Sequence, residues 1–84
     1  MIEDINAAIE EYNARNEPEA RVEFYSADEG EVVVRFCGGL CEAGGAEAWF
    51  DDFGVLLSTK LGSPVSTGRV EEEVDAFIVY YKIG

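Results

Sequence analysis

The stretch ARVEFYSADEGEVVVRF, residues 20 to 36, decides the fold. Over 20–26, Val22 and Phe24 fall on one face and Glu23 and Tyr25 on the other, the period of two of a half-buried strand. ADEG follows as a short polar turn in which Gly30 can take positive φ, and EVVVRF resumes the extended pattern over 31–36. Two strands around such a turn read as a β-hairpin, so the chain must build an antiparallel sheet.

On the N-terminal side, Ile2, Ile5, Ile9 and Tyr12 recur at spacings of three and four, with acids between them. That pattern predicts an amphipathic helix over 2–14, ended by Asn16 and Pro18. On the C-terminal side, Ala46, Trp49, Phe50, Phe53, Leu57 and Leu61 predict a second helix over 45–61, stopped by Gly62 and Pro64. Two further strands are expected over 65–71 and 76–83, with EEEVD, residues 71 to 75, turning between them. In the last strand Phe77, Val79, Tyr81 and Ile83 share a face. Tyr80 and Tyr81 are adjacent, so one of them must point away from the core. If the strand ending in VYYKIG lies at an edge, it can pair with a second copy. The order α-β-β-α-β-β implies a two-layer α+β domain over 1–84, its helices on one face of a mostly antiparallel sheet.

Eighty-four residues leave room for one core, and a hydrophobic content of 48% with ten aromatics suits a folded domain. The aromatics Trp49, Phe50, Phe53, Phe24, Phe36 and Phe77 sit at helical and strand spacing and are expected in that core. An exposed Tyr25 or Tyr80 would mark a protein-facing surface. The start MIEDINAAIEEY is acidic and amphipathic, unlike a signal peptide, and no apolar run reaches 18 residues, so a cytoplasmic protein with reduced thiols is expected.

Eighteen acids face six bases, giving a formal net charge of −12, and histidine is absent. Such a surface repels phosphate backbones and anionic lipid, which excludes nucleic acid and membrane as partners. Without histidine, nucleophile–histidine catalysis and histidine-based metal sites are excluded, and no catalysis is expected. Cations and basic protein surfaces remain, beside the plainer reading of an acidic surface adapted to salt.

Strand direction suggests where the acids gather. If the second strand runs upward, the helix after it descends from the top and the next strand climbs back, so the EEEVD turn also lies at the top. Glu17, Glu19, Glu42, Glu47, Glu71, Glu72, Glu73 and Asp75 would then share one pole, with Asp28, Glu29 and Glu31 at the other. Calcium takes six to eight oxygen ligands from flexible loops. A Ca2+ site built from Glu42, Glu47, Glu71, Glu72, Glu73 and Asp75 is therefore the first expectation, against a solvated acidic end that holds no ion. The alternative is an acidic module that docks a basic protein. Asp51 and Asp52, the only adjacent aspartates, lie on the second helix.

FCGGLCEAGG, residues 36 to 45, holds both cysteines and four of the nine glycines. Cys37 and Cys41 lack the spacing of a zinc knuckle, and two sulfurs cannot close a tetrahedral site within one chain. Plain loop thiols, a redox or iron–sulfur-related pair, and a metal shared between two copies remain as readings. The segment matches no phosphate-binding motif and lacks the required lysine, so its glycines are read as the turn from sheet to helix. With CGGLCEAGG before a WFDDF helix, the acidic EEEVD turn, the length and the order of elements, the chain resembles a group of small acidic archaeal conserved hypothetical proteins. That resemblance implies a two-layer α+β fold, no assigned enzymatic activity, and calcium binding without an EF-hand.

Overall fold

The computed structural model of the chain describes residues 1–39 and 45–84. Its elements are α1 (Ile2–Asn16), β1 (Arg21–Ala27), β2 (Glu31–Cys37), α2 (Ala46–Leu61), β3 (Val65–Glu72) and β4 (Phe77–Ile83). All six expected elements are present in the expected order. The four strands form one antiparallel sheet in the order β1-β2-β4-β3. Beside the second helix, β4 is an interior strand with a partner on each side, so VYYKIG offers no free edge. The rims belong to β1 and β3, and each carries a bulge, between Phe24 and Ser26 and between Thr67 and Val70.

The core lies between the inner sheet face and the two helices. Val22, Val32, Val34, Phe36, Val79 and Tyr81 come from the sheet, and Ile5, Ala8, Tyr12, Phe50, Phe53 and Leu57 from the helices. Period two in the strands and period 3.6 in the helices bring these side chains to one layer. Their rings meet edge to face, with Phe36 4.9 Å from Phe50 and Tyr12 5.4 Å from Phe53 between centroids. Both core tyrosines satisfy their hydroxyls at the α2 backbone: Tyr81 donates to the Phe50 carbonyl at 2.6 Å and Tyr12 to the Trp49 carbonyl at 3.2 Å. Burial holds both phenols well above their ordinary range. Phe24 departs from the expected core set: it lies on the inner face but on a rim strand beside the bulge, and it is 41% exposed.

The first helix runs one half-turn past its expected end. Asn16 donates its side-chain amide to the Tyr12 carbonyl, and the Glu17 N–H reaches the Asn13 carbonyl. Asn13 also clamps α1 to the sheet, accepting from the Val22 N–H at 2.8 Å and donating to the Val22 carbonyl at 3.0 Å. The second helix stops at Gly62, whose N–H bonds the Ser58 carbonyl, while the Ser58 hydroxyl donates to the Ser63 carbonyl. No helix among the described residues is long and apolar enough to cross a membrane.

Candidate functional site

The negative charge is unevenly distributed over the elements. The strands carry four acids, Glu23, Glu31, Glu71 and Glu72, and four bases, Arg21, Arg35, Arg69 and Lys82. The helices carry seven acids against Arg15 and Lys60, and the remaining seven acids lie in connections without a base. The whole excess therefore resides outside the sheet.

The described segments expected at one pole lie together, and a cation of the chain's own sits among them. Phe36 pairs with Phe77, which pairs with Glu72, and Cys37 pairs with Arg21, so the end of β2, the β3–β4 turn and the start of β1 lie together. Phe50 packs on Phe77 at 5.4 Å, which brings the first half of α2 to the same end. The backbone before β1 reaches it at Gly38, which has a φ of +112° and whose absent Cβ would stand 2.9 Å from the Pro18 carbonyl oxygen. Only glycine fits there.

The individual carboxylates then part company. Glu71 is on the outer sheet face, where it accepts the Tyr80 hydroxyl at 2.9 Å and lies 3.6 Å from Arg69. Glu72 pairs with Phe77 and takes the inner face, and Glu47 stands exposed in the first turn of α2. Glu73 and Asp75 sit 3.8 and 3.5 Å from the Arg35 guanidinium, which also bonds Glu23 at 2.9 Å. The Glu23 hydrogen bond is the main cause that holds Arg35 above its ordinary value. Glu42 lies outside the described residues. Among the described residues no three cysteine or acidic side chains stand close enough together to hold a metal ion. The described donors thus fit a cation poorly as a set. Arg35 is what the sequence reading missed. The signal was present, since alternation in EVVVRF places the one base opposite Val34 and Phe36 on a strand that runs to the acidic pole.

The outer sheet face is closed by the same kind of contact. The Arg69 guanidinium lies 4.3 Å from the centre of the Tyr80 ring, a cation–π contact. Beneath these long side chains Val33 and Ile78 are only 4% and 3% exposed. At the β3 bulge the chain passes so close to β4 that a Cβ on Gly68 would stand 2.9 Å from the Tyr80 carbonyl oxygen. Tyr25, by contrast, is 60% exposed at the β1 bulge.

The helical side is different. Glu3, Asp4, Glu10, Glu47 and Asp52 have no side-chain hydrogen bond or ion pair among the described residues, five of the seven helix acids. Glu11 and Asp51 are the exceptions: Lys60 at 2.9 Å, helped by Arg15, holds the Glu11 carboxyl below the ordinary value, and Asp51 accepts the Thr67 hydroxyl at 3.0 Å. A groove of about 510 Å³ opens between α1 and α2, walled by Glu11, Tyr12 and Arg15 on one bank and by Asp52, Val55 and Leu56 on the other. Cys37 is half-buried, its thiol donating to the Arg21 carbonyl at 3.7 Å, and Cys41 lies outside the described residues. The chain matches no protein-family model, no curated protein and no solved structure.

Proposed function

We propose that this chain is an acidic interaction module that docks a positively charged protein surface through its helical side. The observation that carries the reading is the contrast in counter-ions. Four acids of the sheet and its upper turn, Glu23, Glu71, Glu73 and Asp75, are held by arginines of the same chain, whereas five of the seven helix acids have no side-chain partner among the described residues. A basic surface meets open carboxylates there and is steered to them over several ångströms by the net field. The test is a lysine-rich peptide titrated into isotope-labelled protein at several salt concentrations. Amide shifts confined to α1 and α2, saturable and weakened by salt, are expected. No response, or shifts centred on the outer sheet face, would sink the reading.

The second reading is a divalent cation, Ca2+, at the pole, held by Glu42, Glu47, Glu71, Glu72, Glu73 and Asp75. It is favoured by strand direction, which brings the β3–β4 turn and the start of α2 to one end. An ion there must compete with Arg35 for Glu73 and Asp75. Because an ion bound to the folded state alone raises stability, melting with calcium or magnesium at constant ionic strength tests it. A saturable rise with calcium alone supports the reading, and equal rises with both ions mean screening.

A further inference from the structure

We infer that the groove between α1 and α2 receives an amphipathic helix of a partner protein, an aliphatic side chain seated against Val55 and Leu56 and a lysine or arginine facing Asp52. This rests on the acidic-module reading above and names the partner's form. Val55 is 68% exposed at mid-helix. A β-branched residue loses side-chain freedom in a helix, and an exposed one gains no burial in return, so helix stability does not explain it. It borders the groove together with Leu56, and the buried Tyr12 forms part of the wall.

Charge selects the occupant. Arg15 and Lys60 both reach to Glu11, so the acid on the α1 bank already has its cations. The Asp52 carboxylate on the α2 bank has no ion pair or hydrogen bond among the described residues, and its charge adds to the upward shift of the Tyr12 phenol. A partner cation is therefore met by Asp52 and turned away from the Arg15 side. A second copy is a poor occupant, because it would bring another chain of net charge −12 to a helical side already rich in acid. Anchors three and four residues apart on one helix fit a groove between two others.

The probe is a model peptide of leucine and lysine patterned as an amphipathic helix, compared with an all-lysine peptide of equal charge and a leucine–glutamate peptide. The expected result is that the leucine–lysine peptide shifts amides of residues 11–16 and 52–59. Its affinity falls about tenfold in Val55→Ser, which removes the apolar seat, and about threefold to fivefold in Asp52→Asn. Glu3→Gln, with the same change in charge, leaves it within about twofold. If D52N and E3Q weaken binding equally, or the all-lysine peptide binds as tightly as the patterned one, the groove is overturned and the acidic module stands. Binding of the leucine–glutamate peptide at similar affinity overturns the charge selection. Concentration-dependent shifts of groove amides without peptide would make a second copy the occupant and overturn the inference. Failure of every lysine-bearing probe removes both readings.

Discussion

The sheet buries apolar side chains on both of its faces, and it does so by two different means. On the inner face, Phe36, Val79 and Tyr81 vanish under helices whose own aromatic rings interlock with them. On the outer face no helix or second sheet lies among the described residues, yet Val33 and Ile78 are almost as inaccessible. Their register neighbours include Arg35, Glu71 and Tyr80, long side chains held by polar contacts: Tyr80 bonds Glu71, and Arg35 bonds Glu23 and lies near Glu73 and Asp75. One seal is made by apolar contact and ignores salt, while the other is held in place by charge. The comparison also explains the protein's field. Four of the six bases stand in strands, three of them in ion pairs with nearby acids, so the strands carry no net charge and the helices carry an excess of acid.

Breaking the inner seal should have the largest effect. Phe53→Ala removes a ring that touches Tyr12, Phe36 and Tyr81, and unfolding in urea should show a loss of about 3–5 kcal/mol. That loss should be the same at low and high salt. A change under about 1 kcal/mol would mean that the helices do not pack on the sheet as described. Gly68→Ala attacks the rim of the outer face, because the new methyl group meets backbone rather than a movable side chain. A loss of about 1–3 kcal/mol is expected from chemical denaturation. An unchanged midpoint would show that the bulge does not bring β3 so near to β4.

Arg35→Met sharpens the contrast, since it keeps the stem over the sheet and removes the charge shared by Glu23, Glu73 and Asp75. The melting temperature should fall, and the fall should shrink as sodium chloride screens the released carboxylates. A salt-independent fall would mean that the outer seal is apolar after all. The smallest effect belongs to Glu11, whose folded carboxyl is lowered from an ordinary value of 4.5, chiefly by the Lys60 hydrogen bond. A depressed carboxyl contributes stability above its unfolded value and loses it as pH falls through the folded one. Glu11→Gln should therefore lower the melting temperature at neutral pH, with a difference that closes in acid below about pH 4. A difference that widens in acid would contradict the ion pair.

The elements were legible because each follows a single period: Ile2, Ile5, Ile9 and Tyr12 for α1, and the alternations of Val22 with Phe24 and of Phe77 with Val79 for the strands. Strand order was less so. The near-continuous run FIVYY marks a strand buried on both faces, as an interior strand is, and the period-two reading of β4 used only half of it. Phe24 was misplaced for the converse reason, since alternation gives a face and is silent about whether a helix covers that part of it. The acidic pole followed from strand direction alone. The Arg35 contacts there did not, because they join β1, β2 and the β3–β4 turn, which are remote in sequence. Asn13, which holds α1 to β1 through both polar atoms of Val22, left no periodic trace at all.

The two interrupted rims carry a consequence for how this chain behaves when concentrated. Self-templating fibres grow when one straight strand offers its row of amides and carbonyls to the next molecule. Here the offered row is broken near Tyr25 on one side and at Gly68 and Arg69 on the other. A chain that is nearly half hydrophobic thus presents, among its described strands, no unbroken rim for a neighbour to extend.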